Sequence, residues 1–135
     1  MKVAVTARGP GLDDAVDPRF GRCPYFVIVE TDTMTAETVE NPNAALGGGA
    51  GIQSAQAMAD QGARAVLTGN CGPNAHRTLQ AAEIEVFVGA SGTVREAVES
   101  YRNGTLNAAT SPNVGSHFGS GGGGGMGRGR GRGGM

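Results

Sequence analysis

The sequence predicts a layered α/β domain on a mixed five-stranded sheet, with one strand antiparallel and helices against its faces. Three observations carry this. In the second half, short apolar runs alternate with helical patterns, and strands joined through helices pair in parallel by right-handed crossovers. In the first half, two β-rich runs flank a short polar turn and read as a hairpin. Beyond Thr110 large apolar side chains become sparse, so the folded domain is expected to take residues 1–110 of the 135 and to leave 111–135 as a flexible tail.

The first strand covers Val3 to Thr6, a short buried run, and a long polar loop with Asp13, Asp14, Asp17, Arg19, Arg22 and Cys23 follows. Tyr25 to Glu30 is the second strand and the expected antiparallel member. A turn around Asp32-Thr33-Met34 leads to a third strand over Ala36 to Glu40, which Asn41-Pro42-Asn43 ends. The cluster Gly47-Gly48-Gly49-Ala50-Gly51 introduces a helix from about Ile52 to Gln61, with Ile52, Ala55 and Ala59 as its inward stripe and Gly62 as its stop. Strand four spans Ala65 to Thr68. Pro73 then suits the first position of a helix that runs to about Ala82 with Ala75, Leu79 and Ala82 on one face. Strand five covers Ile84 to Val88. The last helix, Val94 to Arg102, has the strongest local signature: a Thr93/Glu96 capping box, a stripe of Val94, Ala97, Val98 and Tyr101, and Gly104 just beyond its end.

Composition narrows the function classes. Through Thr110 there are eight Lys plus Arg against twelve Asp plus Glu, while the remainder has three Arg and no acid, so an acidic body carries a basic tail. An acidic body is a poor general nucleic-acid binder, because that affinity comes from neutralising phosphates. No long apolar segment suggests a membrane span, and the run Val3-Ala4-Val5 follows Lys2 directly, so a cytoplasmic location is expected. The two cysteines form no CxxC, and shared metal or cluster ligation ranks above a disulfide in a reducing compartment.

The stretch Thr68-Gly69-Asn70-Cys71-Gly72-Pro73-Asn74-Ala75-His76 puts a thiol and an imidazole where a strand turns into a helix. Free N–H groups and the helix dipole there favour a thiolate and attract an anion, whereas the plainer reading is a buried structural cysteine. Topology brings Cys23, the glycine cluster and Cys71 to one sheet edge, where open α/β sheets bind ligands. Cys23, Cys71 and His76 are three soft donors, one short of a closed zinc site. An exogenous metal–sulfur anion suits them better, since it brings its own sulfides and asks only for a few ligands, backbone N–H groups and cations such as Arg19 or Arg22. Those arginines are alternatively solvated charges or partners of the loop aspartates, and His76 is alternatively an exposed residue of the first helical turn. Catalytic readings are weaker. Cys71 and His76 lack an orienting third group, the glycine cluster lacks the Lys and Ser/Thr of a P-loop, and Asp13, Asp14 and Asp17 crowd one loop instead of surrounding two metals.

The opening MKVAV strand, Asp17-Pro18-Arg19-Phe20-Gly21-Arg22 before an aromatic strand, Gly49-Ala50-Gly51-Ile52, and Gly69-Asn70-Cys71-Gly72-Pro73-Asn74-Ala75 occur in an order that resembles the dinitrogenase iron–molybdenum cofactor biosynthesis family. The resemblance runs from Met1 to about Asn107. It implies a ribonuclease H-like fold without ribonuclease catalytic acids, and binding, storage or delivery of clusters without turnover. It is strongest to the orange protein branch, which implies a noncovalent molybdenum–sulfur–copper cluster, with an iron–molybdenum–sulfur cluster as the alternative. The candidate cofactor-binding residues are Arg19, Arg22, Gly49, Gly51, Asn70, Gly72 and Asn74, and the candidate metal ligands are Cys71, Cys23 and His76. A MinD/Mrp-type ATPase is implied as a partner, which makes a regulatory interaction module the alternative function, and a monomer or weak homodimer is expected. In the tail, Arg128, Arg130 and Arg132 alternate with glycine, a pattern suited either to a solubilising extension or to contacts with RNA, an acidic partner or the anionic cluster, and His117 and Met126 offer only one residue of each type for transient copper ligation.

Overall fold

The computed structural model describes residues 1–41 and 50–109. Gly49, the preceding glycines and the tail with His117, Met126 and its arginines lie outside the described residues. Among the described residues, six strands and three helices follow in the order β1 (Lys2–Ala7), β2 (Tyr25–Glu30), β3 (Thr35–Glu40), α1 (Ala50–Asp60), β4 (Ala65–Leu67), α2 (Pro73–Ala81), β5 (Glu85–Val88), α3 (Val94–Arg102) and β6 (Asn107–Ala108). They build one sheet of order β3-β2-β1-β4-β5-β6.

Pairing β1–β4 and β4–β5 is parallel, while β1–β2, β2–β3 and β5–β6 are antiparallel. The sheet therefore has six strands where five were expected, and two of them, β2 and β6, run against the other four. β6 escapes a pattern reading because it is two exposed residues with no apolar alternation, held by pairing to Phe87 and Val88. The hairpin forms as expected, with Val3↔Val29 and Val5↔Val27 in register with the central strand and Met34 N donating to the Glu30 carbonyl at the turn.

Strand alternation sends successive side chains to opposite faces. One face gathers Ala4, Phe26, Ile28, Val66 and Val86 under Ala55 and Met58 of α1 and Ala75 and Leu79 of α2. The other gathers Val3, Val5, Val27, Val29 and Leu67 under Val94, Ala97 and Val98 of α3. The phase of α1 differs from the expected stripe: Ser54, Ala55 and Met58 are buried and Ala59 is exposed. The longer Met58 side chain takes the core position. Ala82, expected on the buried face of α2, is its exposed C-cap. Among the described residues no helix is long and apolar enough to cross a membrane.

The capping box of α3 is complete, with Glu96 N donating to Thr93 Oγ1 at 3.1 Å and Thr93 N donating to Glu96 Oε1 at 2.8 Å. Thr93→Ala is expected to lower stability by about 1 kcal/mol in urea denaturation. An unchanged midpoint would mean that the cap contributes nothing.

Candidate functional site

β1, β3, β4 and β5 all end at one edge of the sheet, and the long loop after β1 returns to it. Thr6, at the end of β1, and Thr68, just past β4, are both fully buried with their hydroxyl oxygens 2.9 Å apart. Thr6 Oγ1 donates to the Asp17 carbonyl at 2.6 Å, and Asp17 N donates back to the Thr6 carbonyl at 2.9 Å. This pins the loop where Asp17 begins its turn.

From there the loop is latched to the segment before α2. Asn70 N donates to the Pro18 carbonyl at 2.8 Å, Asn70 Nδ2 approaches the same oxygen at 3.4 Å, and Phe20 N donates to the Asn70 carbonyl at 3.4 Å. Arg19 and Asn70 form a parallel bridge. Asn41, at the end of β3, closes the loop's other end: its buried amide donates to the Gly21 and Cys23 carbonyls at 3.0 and 2.8 Å. Ser54 Oγ of α1 in turn lies 3.4 Å from Asn41 Oδ1.

The starts of α1 and α2 then come together. A Cβ placed on Gly51 would sit 3.0 Å from the Ala75 Cβ, so any side chain there would push the two helices apart by a few tenths of an ångström. Gly72 is the N-cap of α2, with Pro73 at the first helical position as expected, and supplies no capping side chain. Pro73 has no N–H and His76 N donates to the Gly72 carbonyl at 3.0 Å, so the first-turn donors that face the edge are those of Asn74 and Ala75. Arg22 is exposed and makes no ion pair among the described residues, and Asn74 is exposed on the first turn of α2.

Asp17 is 1% exposed and binds Arg19 through both oxygens: Arg19 Nε and backbone N reach Oδ1 at 3.0 and 2.9 Å, and Nη2 reaches Oδ2 at 3.0 Å. Burial pushes the Asp17 carboxyl up, but the hydrogen bonds and charge of Arg19 outweigh it and hold the group below the usual carboxylate range. The same bonds raise the Arg19 guanidinium. Arg19 thus pairs with a loop aspartate, one of the arrangements open for it, while its side chain stays 52% exposed.

Both cysteines are thiols on the α1/α2 side of the sheet, 0% and 1% exposed. Burial pushes each up to about 12, with the Asp17 charge adding to the effect at Cys23. Of the two readings open for Cys71, its burial favours the structural cysteine: desolvation raises the thiol, which approaches the Gly72 carbonyl at 3.7 Å. His76 is buried and not exposed, with Nε2 donating to the Ala109 carbonyl at 3.1 Å. It borders a cavity of about 380 Å³ with Gln80, Glu83 and Ala108, between α2 and the β5–β6 edge. Among the described residues no three His, Cys, Asp or Glu side chains come together as a metal-binding group, so Cys23, Cys71 and His76 are not one triad. The edge instead brings Arg19 to Asn70 and Gly51 to Ala75 at the start of α2, where Gly72 and Asn74 lie, with Arg22 exposed on the same loop as Arg19.

Sequence reading gives Asn41, Thr6 and Thr68 only as ends of strands, because their roles at the edge depend on contacts between distant segments. Asp17 has a local signal, the Asp-Pro-Arg spacing that lets a carboxylate reach the arginine two residues on, though nothing local announces its burial.

The profile of the family described as dinitrogenase iron-molybdenum cofactor matches residues 1–104. The chain belongs to the dinitrogenase iron-molybdenum cofactor family. Among solved structures, the apo form of the orange protein from Desulfovibrio gigas is 49% identical, with 83% of this chain and 95% of that chain covered and a TM-score of 0.80. A Thermotoga protein of the DUF35 family, solved by NMR, is 35% identical over 79% of this chain and 91% of its own, with a TM-score of 0.69. An uncharacterised protein of Methanocaldococcus jannaschii is 29% identical over 109 residues, which are 78% of this chain and 89% of that protein. The length matched by the profile takes in every element up to α3, and so the whole candidate edge of this member of the dinitrogenase iron-molybdenum cofactor family.

Proposed function

We propose that the protein binds an anionic metal–sulfur cluster noncovalently at this edge, and stores or delivers it without turnover. The observation that carries the reading is the convergence of two helix N-termini, held together at Gly51 and Ala75, beside a loop that presents Arg19 and Arg22. Backbone N–H groups at helix starts and guanidinium groups are what a polyatomic anion asks of a protein. Cys23 and Cys71 are 0% and 1% exposed, which favours an anion held by N–H donors and charge at the edge over one ligated by either thiol. Gly51, in the first turn of α1, belongs to the same reading, and Gly49, outside the described residues, is proposed with it from the family resemblance. The family assignment and the similarity to the orange protein support a molybdenum–sulfur–copper cluster as cargo, and the strand order β3-β2-β1-β4-β5 supports a ribonuclease H-like layout.

The test is metal and sulfide analysis with a visible spectrum on protein purified without air, repeated after incubation with tetrathiomolybdate and copper(I). Stoichiometric molybdenum and copper with intense colour are expected. Arg22→Glu is expected to weaken retention about tenfold at low salt, and less as salt screens the edge. Iron with sulfide would identify an iron–molybdenum type of cargo, and no retained metal in either preparation would remove the proposal.

A further inference from the structure

We infer that Asp17 is a positioning residue, which holds the Arg19 guanidinium at the edge with its outer N–H groups directed to the anion. The inference rests on the cluster-binding reading of that edge. An ordinary buried ion pair hides both charges, whereas this one is lopsided: the carboxylate is 1% exposed and the cation's side chain is 52% exposed. The acid is sunk into the fold and the base is held outward. Three anchors keep Asp17 itself from moving, namely its N–H on the Thr6 carbonyl, its carbonyl on Thr6 Oγ1, and the Thr6–Thr68 hydroxyl contact behind them.

A guanidinium has five N–H donors. Two face Asp17, one from Nε and one from Nη2, which leaves three, both on Nη1 and the second on Nη2. Among the described residues none of these three has a partner. They project from a side chain whose backbone is bridged to Asn70, directly before Cys71 and the start of α2. Arg19 does not need to leave Asp17 to meet an anion, and leaving would strand a buried carboxylate without its partner, which is costly. Two-point contact thus fixes the plane of the guanidinium before cargo arrives, which lowers the ordering cost of binding.

Positioning and bulk charge make opposite forecasts for Asp17→Asn. Removing a negative charge beside the edge strengthens anion binding if charge alone matters. If Asp17 aims Arg19, the substitution weakens it. Tetrathiomolybdate affinity would be measured on the full chain for the wild type, Asp17→Asn, Arg19→Lys and the double variant, with far-UV circular dichroism to establish folding. The expected result is a loss of about tenfold for Asp17→Asn, a similar loss for Arg19→Lys, and little further loss when the two are combined, since both remove the same bidentate contact. Equal or tighter binding by Asp17→Asn overturns the positioning role and leaves the cluster-binding reading intact. Absence of tetrathiomolybdate binding by the wild type overturns the positioning role, and the cluster-binding reading falls with it only where neither preparation retains metal. A second readout needs no cargo: the Arg19 Nε–H of the wild type should exchange slowly with solvent by NMR and quickly in Asp17→Asn. Rapid exchange in the wild type means the fork is not held, and sinks the inference even if Asp17→Asn misfolds.

Discussion

At pH 8, Cys23 and Cys71 are expected to react with iodoacetamide about a thousandfold more slowly than an unperturbed thiol, because each is pushed from 9.0 to about 12 and the thiolate fraction falls about tenfold per unit. Burial at 0% and 1% exposure adds a steric barrier to the same effect. Urea should release both thiols to ordinary reactivity, which mass spectrometry after timed quenching would follow. Rapid alkylation of either cysteine in the folded protein would show that the edge opens to solvent and would revive the thiolate reading. The same shift sets a pH dependence. Between about pH 9 and 12 the folded state keeps protons that the unfolded state gives up, so stability falls as pH rises through that window and is fully present below it. A urea midpoint that rises from pH 8.5 to 10 would contradict the sign.

Gly69→Ala is expected to cost about 1–3 kcal/mol, the range for forcing an extra group into a packed interior. A Cβ at this position would lie 2.7 Å from both the Cα and the Cβ of Pro18, and 3.1 Å from its carbonyl oxygen. The obstruction is backbone, so no rotamer change relieves it. Relief requires Pro18 to retreat, which stretches the 2.8 Å bond from Asn70 N and carries Arg19 away from the start of α2. Loss of stability and loss of anion affinity should therefore appear together in this variant. Denaturation by urea and tetrathiomolybdate titration of the folded fraction measure the two separately. A Gly69→Ala variant as stable as the wild type would mean that the two loops are less closely packed than the structure has them.

What was legible in the sequence was what short-range chemistry decides. Thr93 and Glu96 reach each other within one helical turn, Pro73 needs no amide partner at a helix start, and the alternation from Lys2 to Ala7 and from Tyr25 to Glu30 separates two faces without reference to the rest of the chain. The edge itself was also legible, because the parallel order of β1, β4 and β5 forces their following loops together. Its electrostatics were not. Cys71 reads as activated when only the helix start is considered, and as a protonated core residue once Phe20, Cys23 and Ala75 are packed into the same cluster. Asp17 reads as one solvated acid among three until the threonines of β1 and β4 pull it inside. β6 depends on the exposed edge of β5 and carries no pattern of its own. In α1 the choice between Met58 and Ala59 was a matter of helical phase, which a helix rich in alanine specifies weakly.

The latch between Asn70 and Pro18 joins positions 52 residues apart. A ribosome delivers the arginine loop long before it delivers the strand, turn and helix that finish the edge. On the cluster-binding reading, a half-made chain offers an incoming anion one flank of a cradle and no floor. On that same reading, loading waits until the chain beyond Asn70 has been made and folded.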